Sequence, residues 1–232
     1  MMALCNCPRC GRQATEAGAV FCPFCGERLT ADRSGAIPAG AAALLQKASE
    51  QSSNRRKLAL LRQARQEYPD CLAVEEEWLF QGKLPESPGL MLDFAGIKCW
   101  LLQPYLTPEA FDESRRRAMA DELFGDPQLL RCMALSGAEE AYTARYLERL
   151  CREYIDVFLK GSSEYMPRLL GIPLERNPAK ALAKPGAKML RAMQTDENLT
   201  SIQRDSLCAA FRLAFSAECG GDLRWLHQAM EE

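Results

Sequence analysis

The chain contains only one histidine, His227, among its 232 residues. A single imidazole excludes multi-histidine metal centres, and a serine or cysteine nucleophile would have to use His227 as its base. We expect His227 to be a partly exposed surface residue of the last helix. The two glycine-rich phosphate-binding motifs, Gly-x-x-x-x-Gly-Lys-Ser/Thr and Gly-x-Gly-x-x-Gly, are missing as well. The sequence therefore predicts a protein that is not an enzyme.

The chain is also poor in β-branched apolar residues, long apolar runs and net charge. Its three valines and five isoleucines disfavour a large sheet. No apolar run approaches the ~18 residues of a membrane-spanning helix, and the first residues lack the pattern of a secretory signal. We therefore expect a cytoplasmic protein without a membrane segment. With 29 basic and 31 acidic residues, the net charge of −2 gives no long-range attraction to nucleic acid or anionic membranes.

Cysteine, in contrast, is abundant, with eleven residues in all. Four of the cysteines belong to two copies of the unit Cys-Pro-x-Cys-Gly. Two thiolates separated by two residues can bind one ion from a tight turn, and two such turns supply four sulfurs in a tetrahedron. The proline presets the turn, and the glycine allows backbone N–H groups to point at the sulfurs. The pattern predicts a closed structural metal site formed by Cys7, Cys10, Cys22 and Cys25.

The segment 5–29 resembles the short bacterial four-cysteine zinc-ribbon family, and the resemblance extends no further along the chain. It implies a short β-hairpin with two knuckles, on which the same four cysteines hold a structural Zn²⁺ ion. Eleven residues, 11–21, separate Cys10 from Cys22, which is shorter than the usual ~15–20 and fits a minimal ribbon. Two alternatives stay open: Cys5 could compete as a ligand, and a rubredoxin-like centre would hold iron. Zinc is favoured because rubredoxin knuckles lie much farther apart in sequence.

Composition divides the chain into three parts. Residues 1–30 form the predicted zinc ribbon, and residues 31–38 are small, polar and non-periodic, as in a linker. From residue 39 to residue 232 the sequence is rich in leucine and alanine and predicts an irregular all-α helical bundle. We expect helices near 39–51, 54–67, 71–81, 90–104, 108–124, 127–135, 137–160, 164–170, 178–193, 199–217 and 222–231.

Several helix boundaries are marked by local residue types. A capping side chain precedes a proline at Thr107-Pro108, Asp126-Pro127 and Asn177-Pro178. The segment from Ser136 to Glu139 matches a capping box and predicts the start of helix 137–160. Pro185-Gly186 is expected to interrupt helix 178–193.

The first three predicted helices have the spacing of a tetratricopeptide-type helical hairpin. The pattern does not recur at a period of ~34 residues, and about three repeats are normally needed for a stable array. We therefore expect at most one repeat-like hairpin attached to the bundle.

Two further groups of residues have structural interpretations. Most of the seven cysteines outside the metal motif have apolar neighbours, and we expect them to be reduced core residues: Cys5, Cys71, Cys99, Cys132, Cys151, Cys208 and Cys219. The acidic runs Glu75-Glu76-Glu77 and Glu139-Glu140 are expected to be solvated, because adjacent residues of a helix point apart.

Three basic groups could contact an anionic partner: Arg55-Arg56-Lys57, Arg115-Arg116-Arg117, and the set Lys180, Lys184, Lys188 and Arg191. The last set would share one face of a continuous helix. The ribbon adds Arg9, Arg12 and Arg28, together with Phe21 and Phe24, for stacking or protein contact. Because the net charge is close to zero, the sequence favours a zinc-binding interaction or adaptor protein that recognises another protein. The alternative is a nucleic-acid-associated factor that uses the ribbon and the basic groups.

Overall fold

The structure, a computed structural model, describes residues 37–82, 98–160 and 177–232. This part of the chain is 82% helical and contains no strand, which confirms the all-α prediction for it. None of its helices has the length and apolar character needed to span a membrane. The predicted ribbon over 1–30, most of the predicted linker and the predicted helix 164–170 lie outside the described residues.

The α-helices follow the predicted order closely. In the described ranges they are α1 (Ala39–Ser49), α2 (Asn54–Glu67), α3 (Leu72–Gln81), α4 (Gln103–Leu106), α5 (Glu113–Gly125), α6 (Pro127–Ser136), α7 (Glu139–Tyr154), α8 (Pro178–Gln194), α9 (Ser201–Glu218) and α10 (Arg224–Glu231). Short 3₁₀ segments, Lys98–Leu102 and Pro108–Ala110, flank α4, and a π-helical segment, Ile155–Lys160, extends α7.

The region between residues 98 and 112 is more broken than predicted. Residues 90–97 of the predicted helix 90–104 lie outside the described residues. Between 98 and 112 the chain forms short helical turns around Pro104 and Pro108, which lack a backbone N–H for helix propagation, instead of continuous helices. Helix α5 begins later, where the Asp112 carboxylate accepts a hydrogen bond from the Arg115 backbone N–H at 2.7 Å.

Two of the three predicted proline-associated caps are confirmed. Asp126 accepts from the backbone N–H of Gln128 at 2.7 Å, and Asn177 accepts from that of Lys180 at 3.3 Å. Thr107 does not cap, because its hydroxyl instead donates to the carbonyl oxygen of Gln103 at 3.4 Å. It closes the preceding turn rather than opening a new helix.

The predicted capping box at Ser136 is wrong. Ser136 is the last residue of α6, and its hydroxyl donates to the Met133 carbonyl at 2.7 Å. Gly137, with φ of 63°, ends α6 in the left-handed conformation, so α7 starts at Glu139. A capping box does occur at the start of α9, where Thr200 and Gln203 satisfy each other's backbone N–H groups.

The predicted interruption at Pro185-Gly186 is also wrong, because α8 runs through both residues from Pro178 to Gln194. A Cβ on Gly186 would lie 2.8 Å from the Phe215 ring and 3.2 Å from Leu226. The absence of a side chain at Gly186 thus allows α8 to pack closely on α9 and α10. This packing offsets the ~3 kcal/mol that an interior proline costs a helix.

Most of the bundle shares one core. Helices α7 and α9 pack along each other, and α8 packs on α10. Fully buried aromatic side chains fill the centre: Tyr142, Tyr146, Tyr154, Phe211 and Phe215. Helix α7 contributes Leu147, Leu150 and Cys151 to this core, and all three are fully buried.

The first three helices form a separate layer. Helices α1 and α2 pack together across the connection 50–53, and α3 packs on both. A small core of Ala41, Ala64 and Val74 holds this unit together, and α3 then attaches it to α6. We call α1 and α2 the N-terminal hairpin.

The expectations for cysteines and acidic runs are met in part. Five cysteines, Cys99, Cys132, Cys151, Cys208 and Cys219, are buried free thiols, but Cys71 is only half-buried. Glu139 and Glu140 are exposed as predicted. The prediction for Glu75 is wrong: its side chain is 1% exposed because it forms an ion pair with Arg65 inside the interface between α2, α3 and α6.

Candidate interaction surfaces

The predicted metal ligands Cys7, Cys10, Cys22 and Cys25 lie outside the described residues. Within the described ranges, no group of three or more histidine, cysteine or acidic side chains is placed to hold a metal ion. His227 is exposed on α10, as predicted. The functional features that the structure places are therefore surfaces, and three of them have a distinct character.

The first surface is a groove between the N-terminal hairpin, α3 and α7, with a volume of about 640 Å³. One wall is apolar and comes mainly from helices α1, α2 and α3, which contribute Leu45, Ala48, Leu61 and Ala73. Ile37, just before α1, lies at the groove and keeps 47% of its surface exposed. A groove of this size with an apolar wall can take one or two side chains of a bound peptide.

The opposite wall is polar and is organised around Arg149 of α7. Its guanidinium donates to Glu77 at 3.1 Å and to Glu153 at 3.0 Å, and it lies 3.7 Å from the centre of the Phe80 ring. Burial lowers the pKa of Arg149, but the two carboxylates outweigh burial and raise it. Burial raises the pKa of the adjacent Glu76 carboxyl, and the positive charge of Arg149 opposes that shift.

Gln81 leaves one hydrogen-bonding group of this wall unsatisfied. Its amide Nε2 donates to Glu77 at 2.5 Å. Its Oε1 is buried and has no donor among the described residues. A buried carbonyl without a donor costs about 1–3 kcal/mol, so a rotation of the Gln81 side chain that brought Oε1 to a peptide N–H would recover that cost. The groove thus combines an apolar wall with a buried acceptor that lacks a donor among the described residues.

The second surface is the basic face of α8, formed by Lys180, Lys184, Lys188 and Arg191. All four side chains are exposed on one continuous helix, which confirms that they share a face. Lys188 lies 3.6 Å from Glu109, Arg191 donates to the Met230 carbonyl at 3.4 Å, and Lys180 lies 5.4 Å from the Trp225 ring centre. The face can therefore offer positive charge to an anionic partner.

The side chains of the group Arg115-Arg116-Arg117 contact other side chains of the protein. Arg116 forms an ion pair with Glu113 at 2.5 Å, Arg115 lies over the Phe111 ring at 5.6 Å, and Arg117 donates to Asn198 at 3.4 Å. The group Arg115-Arg116-Arg117 thus contacts its own helix and neighbouring segments.

The third surface is the exposed face of α9, which the sequence analysis did not identify. Ile202 and Leu213 keep 77% and 60% of their surface exposed, and Ala209 and Ala217 beside them are also exposed. In an amphipathic helix the exposed face normally carries charged side chains. The spacing of uncharged residues around α9 was the signal that could have indicated this face.

A smaller cleft of about 370 Å³ lies between α4, α5 and the end of α8. Its carboxylate Asp196 already accepts from the Tyr105 hydroxyl at 2.8 Å and from Asn198. Burial raises the pKa of Tyr105 well above its ordinary value, and Asp196 adds to the shift. Tyr105 therefore stays protonated and acts as a structural donor in this cleft.

Comparison with family models, curated proteins and solved structures finds no match to this chain. We therefore infer the function from the surfaces described above.

Proposed function

We propose that this protein is a zinc-binding interaction protein that recognises another protein through the groove beside the N-terminal hairpin, and that it is not an enzyme. The observation that supports this most is the apolar wall of the groove, which is lined also by the half-exposed Ile37 and by Gln81, whose Oε1 lacks a donor among the described residues. Peptide segments supply both backbone N–H groups and apolar side chains, so they match the chemistry of the groove.

The zinc ribbon has a structural role in this proposal. Four thiolates from Cys7, Cys10, Cys22 and Cys25 would fill the coordination sphere of Zn²⁺ and leave no position for water or substrate. The metal would then hold the shape of the N-terminal segment next to the hairpin. The reduced, buried cysteines of the bundle fit a cytoplasmic location.

Site-specific photo-crosslinking in the native host tests the groove. A benzophenone amino acid at Gln46, which lies at the groove, is expected to capture one dominant protein. The same group at Ala134, on the exposed side of α6, serves as the matched control and is expected to capture none.

The substitution Ala73→Arg places a bulky cation in the groove and should abolish capture from Gln46, whereas Ala134→Arg should leave it intact. Both variants must retain the helical circular dichroism of the wild type. Capture that persists in Ala73→Arg, or recovery of nucleic acid alone, would reject the groove as the recognition site.

The second candidate is a nucleic-acid-associated factor that uses the ribbon and the basic face of α8. The continuity of α8 through Pro185 favours it, because four cations on one face can follow a phosphate backbone. A filter-binding titration with labelled duplex and single-stranded oligonucleotides tests it. Binding should weaken steeply with salt and weaken further in Lys184→Glu/Lys188→Glu. No binding at about 50 mM salt would end this candidate.

A further inference from the structure

The exposed face of α9 has the residue spacing of a helix that pairs with another helix. Its central positions are 202, 206, 209, 213 and 216, which alternate steps of four and three residues. This spacing keeps side chains in one row along an α-helix and forms the contact seam of paired helices. The five residues in the row are Ile202, Ser206, Ala209, Leu213 and Ser216, and none of them is charged.

A neighbouring helix shows that this face is unusual within the same molecule. Helix α8 has 17 residues and α9 has 18, and both pack one side against the shared core. The exposed side of α8 carries four cations, whereas the row on α9 exposes two large apolar side chains, Ile202 and Leu213. A partner that covered Ile202 and Leu213 would remove their apolar surface from water, which is favourable.

The arrangement within the row fits a second copy of the same helix running antiparallel. A two-fold axis between Ser206 and Ala209 would place these small residues at the crossing point, where the two backbones come closest. The same axis would place Ile202 of each copy against Leu213 of the other. Large side chains would then fill the space on both sides of the crossing.

The charges at the edge of the row favour the same orientation. Asp205 and Arg212 lie seven residues apart, on the same side of the row. An antiparallel pair brings Asp205 of each copy next to Arg212 of the other, whereas a parallel pair does not join them. Neither side chain has an ion-pair partner among the described residues, and Asp205 is exposed. One two-fold contact therefore forms two new ion pairs.

We propose that α9 is a self-association surface on which a second copy of this chain docks antiparallel, through the row from Ile202 to Ser216 and the pairs between Asp205 and Arg212. This surface lies apart from the groove and from the basic face of α8. The inference is therefore independent of the proposed function, and neither experiment decides the other.

Sedimentation equilibrium of the full zinc-loaded chain, over about 1–200 µM, tests the proposal. The wild type is expected to show a reversible monomer–dimer equilibrium. Leu213→Glu removes two apolar contacts per dimer and should weaken dimerisation about a hundredfold. Leu130→Glu is the matched control, because Leu130 is also exposed, at 50%, but lies on α6. It should leave the equilibrium unchanged.

Charge reversal then tests the orientation. Asp205→Arg alone and Arg212→Asp alone should each weaken dimerisation about tenfold, because each places like charges together at two symmetric points. The double variant Asp205→Arg/Arg212→Asp restores opposite charges and should restore the wild-type equilibrium. A monomeric wild type at every concentration, a dimer insensitive to Leu213→Glu, or a double variant no better than the single ones would overturn the proposal.

Discussion

Arg65 and Glu75 form an ion pair with 3.0 Å between Nε and Oε2, in which the carboxylate is only 1% exposed. The same carboxylate also accepts from the amide of Gln128, and Arg131 lies 3.4 Å from it. These four side chains come from α2, α3 and α6. The cluster therefore joins the N-terminal hairpin to the bundle and keeps one end of the groove in place.

We predict that Glu75→Gln lowers the free energy of unfolding by about 2 kcal/mol. The substitution removes the negative charge of the pair and replaces one of its two acceptor oxygens by an N–H₂ donor, which leaves Arg65 and Gln128 partly unsatisfied in the interface. Urea denaturation measures the effect. Glu113→Gln, which breaks the exposed pair with Arg116, is the control and should cost less than about 0.5 kcal/mol. Equal effects of the two substitutions would show that burial of Glu75 has no energetic consequence.

Adjacent substitutions in α8 should have opposite effects. Pro185→Ala restores a backbone N–H inside a continuous helix and should stabilise the protein, by up to about 3 kcal/mol. Gly186→Ala also raises helix propensity, but its Cβ would meet the Phe215 ring at 2.8 Å, so overpacking should dominate and destabilise it by about 1 kcal/mol. Thermal denaturation of both variants measures the difference. A stabilised Gly186→Ala would mean that α8 and α9 separate easily.

The sequence predicted the helices well, because apolar residues at a period of 3.6 report directly on which side of a helix is buried. The sequence did not predict the features that depend on contacts between distant segments. Pro185 stays inside α8 because of packing on α9 and α10, and Glu75 is buried because Arg65 and Gln128 meet it. Ile202 and Leu213 are apolar, as core residues are, but the structure shows that both are exposed. The groove combines α1, α3 and α7, which no local pattern connects.

Alkaline pH should destabilise the fold through its buried thiols. Burial raises the pKa of Cys132 from 9.0 to about 11, so the unfolded chain loses this proton first as the pH rises. The stability contributed by the protonated thiol is complete below pH 9 and is lost progressively between pH 9 and about 11.

Two pKa units correspond to about 2.7 kcal/mol, which is the upper limit of the loss from Cys132 alone. Urea denaturation at pH 8, 9, 10 and 11 measures this slope. Cys132→Ala should make the slope less steep without abolishing it, because burial also raises the pKa of other thiols such as Cys219. The same slope in Cys132→Ala and wild type would contradict the assignment.

Zinc should bind to the N-terminal cysteines without being needed for the fold of the helical bundle. The purified full chain should contain one zinc ion per molecule by elemental analysis, and Cys10→Ser or Cys22→Ser should lose it, because three remaining thiolates bind Zn²⁺ more weakly than four. Cys71→Ser is the control and should retain the metal.

The bundle has its own apolar core, which includes Leu147, Phe211 and Phe215, so removal of zinc by a chelator should leave the circular dichroism at 222 nm nearly unchanged. A chain without bound metal would refute the four-cysteine site. Loss of the helical signal on chelation would show that the bundle depends on the ribbon for its stability.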